Sequence, residues 1–198
     1  MKIVSVIPEL FQEWNSEISL GLCCFSCNFR CNFCHSKGFI YDESKVIGTF
    51  SEIYQKYRNP MHTAVVISGG EPTIYGDKLV GAARVIKSDG LKLKIFSNGF
   101  NYSTIKKLNQ EKLVDAYSID FKGVEGLPKV LGVDIPDGTY LWHFWKACSL
   151  ILEKNIDLEI RVTKYPGLDI DLVKSCLGRI FPEVVVHYQE YVEYTEVK

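Results

Sequence analysis

Thr63-Ala64-Val65-Val66-Ile67-Ser68-Gly69-Gly70-Glu71-Pro72-Thr73 opens as a short apolar run rich in β-branched residues and breaks at two glycines. Such a run reads as a buried strand. Glycines at a strand end let a ligand approach the backbone closely, because no Cβ stands in the way. The exposed carbonyls and the Glu71 carboxylate make that edge a receptor for an ammonium group, and Pro72 restricts Glu71. A plain strand-to-helix turn would use the same letters.

The pattern repeats on both sides of this run. Strands are expected at Glu17–Leu22, Thr63–Ser68, Leu91–Phe96, Ala116–Phe121, Leu158–Val162 and Val184–Tyr188. Helices are expected at Thr49–Arg58, which Pro60 ends, and at Asp77–Ser88. Three more are expected at Ser103–Lys112 with Ser103 as N-cap, at Thr139–Lys154 with Asn155 as its stop, and at Asp169–Ile180. Strands alternating with helices argue an α/β fold with a parallel sheet. In such sheets ligands sit beyond the carboxyl ends of the strands. A single domain is expected over 1–198, with its core at about 17–190.

Composition narrows the class. The chain has 198 residues, long enough to bury roughly 70% of its unfolded surface without stapling. Lys plus Arg (23) and Asp plus Glu (24) nearly cancel, which argues against nucleic acid as the principal partner. No apolar stretch approaches the roughly 20 residues of a membrane span. The start, MKIVSVIPELFQEW, has no basic region leading into a long apolar stretch, so a cytoplasmic protein is expected. Seven cysteines, an odd number, argue against a disulfide framework.

About 35 residues before Gly69, one βα unit away, lies Cys27-Asn28-Phe29-Arg30-Cys31-Asn32-Phe33-Cys34-His35. Three thiolates in one short loop can ligate three irons of a four-iron cubane and leave the fourth open for chemistry. Structural zinc is the competing reading, with Cys23, Cys24 or His35 as a fourth ligand. The strand-end rule adds three sets of candidates. Ser97-Asn98-Gly99 ends the third strand, with a turn as the simpler reading. Asp120 and Lys122 share one face of a strand end, with a salt bridge as the simpler reading. Arg161 suits a carboxylate or ribose contact, or a nearby acid. Cys148 and Cys176 read as core packing.

Cysteines spaced C-x-x-x-C-x-Φ-C, followed one βα unit later by G-G-E-P, resemble the signature of the radical S-adenosylmethionine (SAM) superfamily. The resemblance covers about Glu17 to Tyr188. It implies a six-stranded partial (β/α) barrel and a 4Fe–4S cluster on Cys27, Cys31 and Cys34. The amino and carboxylate groups of SAM would chelate the open iron. Gly69, Gly70 and Glu71 would receive the methionine ammonium, and Phe33 would lie against the adenine.

Within that superfamily the chain is similar to activating enzymes of glycyl-radical enzymes. Cys27 to His35 matches their cysteine run, Asp120 and Lys122 their Asp-x-Lys, and Ser97-Asn98-Gly99 their Thr-Asn-Gly. Arg161 with Pro166-Gly167 matches a further element. The resemblance implies that Lys122, Asn98, Asp120 and Arg161 help hold SAM, with Lys122 joining the cluster cysteines as catalytic. The implied reaction is reductive cleavage of SAM to a 5′-deoxyadenosyl radical, which takes hydrogen from a glycine of a partner enzyme. By size the chain looks most like the small activating proteins of anaerobic ribonucleotide reductase, with flavodoxin or ferredoxin as electron donor.

Three positions depart from the pattern. Phe96 stands where pyruvate formate-lyase activases have an Asp that helps form a monovalent-cation site. Ser36-Lys37 replaces Asn-Pro after His35, and His187 does not align with a family histidine. The stretch Gly123 to Gly138, long for a βα loop, is expected to cover the open barrel and contact a docked glycine loop. Two other readings remain: a small-molecule radical SAM enzyme of the deazaguanine-synthase kind, and a non-catalytic zinc or iron–sulfur module.

Overall fold

The computed structural model describes residues 1–14, 17–136 and 138–193. In chain order the strands are β1 (Lys2–Leu10), β2 (Ser19–Cys24), β3 (Gly48–Thr49), β4 (Ala64–Gly69), β5 (Lys92–Ser97), β6 (Ala116–Phe121), β7 (Asp157–Lys164) and β8 (Val185–Glu190). The helices are α1 (Lys37–Ile40), α2 (Phe50–Tyr57), α3 (Asp77–Ser88), α4 (Tyr102–Gln110), α5 (Leu127–Leu131), α6 (Thr139–Glu153) and α7 (Ile170–Ile180). They build one sheet of order β3-β1-β2-β4-β5-β6-β7-β8. From β2 through β8 every pairing is parallel. These six parallel strands are the six expected from the sequence.

The two strands that periodicity misses are β1 and β3, which pair antiparallel at one edge. β1 carries Pro8, which interrupts an otherwise strand-like run. Its ladder with β2 shifts register between Ile7 and Leu10, across that proline, as expected where an amide donor is missing.

Period-two alternation divides the sheet into two faces. The outer face carries Leu20, Leu22, Val65, Ile67, Leu93, Ile95, Ile119, Ile160 and Val162, all fully buried under the helices. The concave face carries Cys23, Ser68, Lys94, Asp120, Arg161 and Gln189, a polar lining suited to a ligand. The sheet curls strongly. Glu13, just beyond β1, reaches across to Arg161 on β7 (Nη1 to Oε2, 3.0 Å). Its carbonyl accepts from Lys94 Nζ on β5 at 2.7 Å. The result is a partial barrel.

Local chemistry sets the helix ends. Thr49 and Glu52 form a reciprocal capping box at the start of α2. Asp169 caps α7 by accepting from Leu172 N at 2.9 Å. Asn155 takes a left-handed conformation (φ 52°) after α6, as a helix stop does. Ser103 is not an N-cap. α4 begins at Tyr102 after Asn101, with no side-chain cap, so Ser103 falls within the first turn.

The stretch Gly123 to Gly138 is also corrected. Its middle is α5, flanked by left-handed Gly126 and Gly132. Leu127 and Leu131 are buried in the core, so this segment is packed rather than a free cover. Position 137 lies outside the described residues. Among the described residues no helix is long and apolar enough to cross a membrane.

Candidate active site

The cysteine loop leaves β2 after Cys24 and is pinned by three neighbours. Gly70 N donates to Cys24 O and Glu71 N to Ser26 O, each at 2.9 Å. On another side, Arg30 N donates to Leu131 O (2.7 Å) and Asn32 N to Val130 O (3.1 Å), so α5 acts as a backing strip. From β5, Asn98 Nδ2 donates to Asn28 Oδ1 at 2.8 Å.

These contacts change the reading of the glycines: the close approach they permit is intramolecular. A Cβ on Gly69 would lie 2.4 Å from Cys24 N, and one on Gly70 would lie 1.8 Å from Ser26 O. Gly69 also needs its left-handed φ of 102°. Gly70→Ala is therefore expected to push the cysteine loop away from β4 and break both pinning bonds. The check is iron bound per chain after anaerobic reconstitution, which should fall well below wild type. Wild-type iron content would contradict this account of Gly70.

The residues that the resemblance implies for cluster and SAM all line one cavity of about 420 Å³ at the carboxyl ends of the parallel strands. Cys27, Cys31 and Cys34 stand on its wall with Phe33 between the last two. Gly69, Gly70, Glu71, Asn98, Asp120, Lys122 and Arg161 complete it. That volume falls within the range of small-molecule sites. A second cavity of about the same size lies between α2 and α3, and its charged groups pair with each other. There Asp89 accepts from Tyr54 Oη at 2.8 Å and pairs with Arg58 at 3.3 Å.

All seven cysteines are free thiols. Burial, with the Glu71 charge adding to it, pushes the Cys27 thiol up to about 12. Burial also raises Cys31, against the pull of Lys122. Lys122 meets opposite forces: burial disfavours its ammonium, but Asp120 and the Cys31 sulfur hold it firmly protonated. Its Nζ lies 2.8 Å from Asp120 Oδ2, the salt bridge the sequence allows. Arg161 pairs with Glu13, and its guanidinium lies 4.8 Å from the centre of the Phe96 ring.

Glu71 is 1% exposed, and both of its carboxylate oxygens accept hydrogen bonds. Oε1 accepts from Thr73 N (3.0 Å), Thr73 Oγ1 (2.5 Å) and Ser97 Oγ (2.8 Å), and Oε2 accepts from Asn98 N (2.6 Å). Burial pushes this carboxyl up, while the donors counter it. The bonds from Ser97 and Asn98 tie the end of β4 to the end of β5, and the two from Thr73 close the turn after β4.

Tyr140, Tyr165, Glu13 and Lys94 escape sequence reasoning although they shape the cavity. Tyr140 carries a weak signal, since it opens the buried stripe Tyr140, Phe144, Ala147, Cys148 and Ile151 along α6. Glu13 carries none, because its partner Arg161 is 148 residues away.

The donor set tests the two metal readings. Three free thiols surround a shared cavity, which suits a multi-iron cluster bound at its rim. The buried Asn28 Nδ2, beside Cys27, meets no acceptor in the protein and suits an anionic, sulfur-rich group. Among the described residues, no three His, Cys, Asp or Glu side chains converge as they would on a single ion. Fold and site together define a partial-barrel α/β protein with a three-cysteine cofactor cavity.

Comparison with known proteins agrees. Residues 23–175 match the family described as the Radical SAM superfamily, and the chain belongs to it. A Methanocaldococcus jannaschii protein is 33% identical over 166 residues, which are 83% of this chain and 69% of that protein. Its provisional name is glycyl-radical enzyme activating enzyme. A Haemophilus influenzae protein of the same provisional name is 31% identical over 51% of this chain and 39% of its own. Among solved structures, anSMEcpe with AdoMet and a peptide aligns at TM-score 0.59 and 15% identity, covering 86% of this chain and 49% of that one. Streptococcus suis SuiB bound to the precursor peptide SuiA aligns at 0.63 and 17%, covering 88% and 40%. The chain thus spans half or less of those two solved structures, and they show the fold alone. As a member of the superfamily it is an enzyme whose cofactors are a 4Fe–4S cluster and SAM.

Proposed function

We propose that this chain activates a glycyl-radical enzyme, and that its cavity holds the cluster on Cys27, Cys31 and Cys34. The observation that carries the reading is the convergence of the three thiols, the Gly69–Glu71 edge and the cations Lys122 and Arg161 on one cavity. When bound, the cluster and SAM supply one-electron reductive chemistry that ends in 5′-deoxyadenosine and removal of a hydrogen atom from the substrate.

The chain's own residues bind and orient. A carboxylate offers about four acceptor sites. Three of the four bonds to Glu71 crowd Oε1 and one falls on Oε2, so Glu71 chiefly holds that edge in place and the carbonyls of Gly69 and Gly70 take most of the ammonium of SAM. Lys122 and Arg161 supply cationic donors for the carboxylate and ribose. Arg161 uses only Nη1 on Glu13. Asp120 orients Lys122. Asn98 Nδ2 donates to Asn28 Oδ1 and faces Cys27 Sγ at 4.0 Å, which places its amide where cluster and SAM would meet. Phe33 offers a ring face to the adenine. Water exclusion in a cavity of this kind protects a reactive intermediate from side reactions.

Among such partners the reading takes an anaerobic ribonucleotide reductase, with flavodoxin or ferredoxin delivering the electron. The deciding experiment supplies reconstituted protein, dithionite and SAM to such a reductase labelled with Cα-dideuterated glycine. Deuterium in 5′-deoxyadenosine, with a new organic radical in the reductase, is the expected result. Unlabelled product in the reductase's presence would point instead to a small-molecule substrate.

A further inference from the structure

We infer that Tyr165, with Tyr140 opposite it, is a positioning residue that sets both Lys122 and Phe33 for the cofactor; this rests on the site assignment above. The β6–β7 ladder ends at the pair Phe121 and Val162, so Lys122 lies just past it. Two phenols take over there. Tyr140 Oη donates to Asp120 O (2.7 Å) and accepts from Lys122 N (3.0 Å). Tyr165 Oη donates to Lys122 O at 2.8 Å. Both backbone polar groups of Lys122 are therefore held by tyrosine hydroxyls, and the stem of its side chain starts from a fixed point.

The ring of Tyr165 acts elsewhere. It stacks on Phe33 with centroids 4.2 Å apart and planes 6° from parallel. Phe33 lines the cavity and Tyr165 does not, so Tyr165 backs Phe33 from outside. One side chain thus couples the cysteine loop to the end of β6, fixing an aromatic face and an ammonium relative to each other. The neighbouring glycine leaves room for this, since a Cβ on Gly123 would lie 3.0 Å from Tyr165 Oη. A residue needed only to fill the core would use the ring alone, and phenylalanine would serve as well.

The test compares wild type, Tyr165→Phe, Tyr165→Leu and Gly123→Ala after anaerobic reconstitution. Iron per chain, equilibrium dialysis with labelled SAM, melting temperature, and KM and kcat for 5′-deoxyadenosine formation are measured. Tyr165→Phe keeps the stack and loses one hydrogen bond. It should retain wild-type iron while KM for SAM rises about fivefold, with kcat less affected. Tyr165→Leu should weaken SAM binding further, so that phenylalanine is a partial rescue. Gly123→Ala should follow Tyr165→Phe, which keeps the test decisive if the leucine variant does not fold. Wild-type SAM affinity in Tyr165→Phe would overturn the inference, as would loss of iron in parallel with SAM. Absence of SAM binding by the wild type would overturn the site assignment and this inference together.

Discussion

Cys31→Ala is expected to give a folded chain that assembles no stable cluster and forms no detectable 5′-deoxyadenosine. The fold should survive because the bonds that pin the cysteine loop come from backbone groups and from Asn98, not from the Cys31 thiol. The 3.1 Å bond from Cys34 N to Cys31 O is likewise a backbone bond and persists in alanine. The chemistry should not survive, because two thiolates cannot replace three around the rim of the cavity. Cys148→Ala is the contrast. Cys148 is fully buried in α6, away from the cavity, and its removal costs about 1 kcal/mol of packing with cluster and product retained. Product from Cys31→Ala would remove Cys31 from the ligand set. Stoichiometric zinc and no product from the wild type would overturn the catalytic account.

Glu71→Gln is expected to damage the fold around the cavity before any cofactor is added. The amide can keep its oxygen toward Asn98 N and turn its nitrogen toward the hydroxyls of Thr73 and Ser97. Those hydroxyls rotate, but Thr73 N, 3.0 Å from the lost oxygen, has a fixed hydrogen and is left buried without a partner. One orphaned donor plus weakened neighbours costs about 2 kcal/mol, or roughly 4–8 °C in melting temperature for a chain of this length. Glu71→Ala strands both fixed donors, Thr73 N and Asn98 N, and removes the acceptor of both hydroxyls, so it should cost more, about 3–5 kcal/mol. The measurement is thermal unfolding of metal-free protein, where a direct ligand of SAM would show little change. An unchanged melting temperature with lost SAM binding would return Glu71 to the role of ammonium receptor.

The two experiments separate what can be read locally from what cannot. The cysteines could be grouped from spacing because one loop carries all three to the same cavity. Glu71 was legible as a special residue, but the donors that engage it were not. Its donors Ser97 and Asn98 belong to the next strand, and the sequence does not show that two strand ends lie within hydrogen-bond reach. The same holds for Asp120 and Lys122. Their pairing follows from alternation along one strand, whereas the phenols that fix their backbone come from α6 and the end of β7.

The amino-acid sequence by itself determined the six parallel strands, the cysteine loop at the carboxyl end of the first of them, and the strand-end residues that share the cavity with it. Each of these rests on period, spacing or turn chemistry within a few residues. Tertiary structure alone decided the antiparallel edge of β1 and β3, the packing of α5 behind the cysteine loop, and the reach of Glu13 to Arg161. It also decided that the space beside Gly69 and Gly70 belongs to the chain's own backbone. The reason is physical. These contacts depend on how far the sheet curls and on the register between segments distant in sequence, and no local periodicity encodes either.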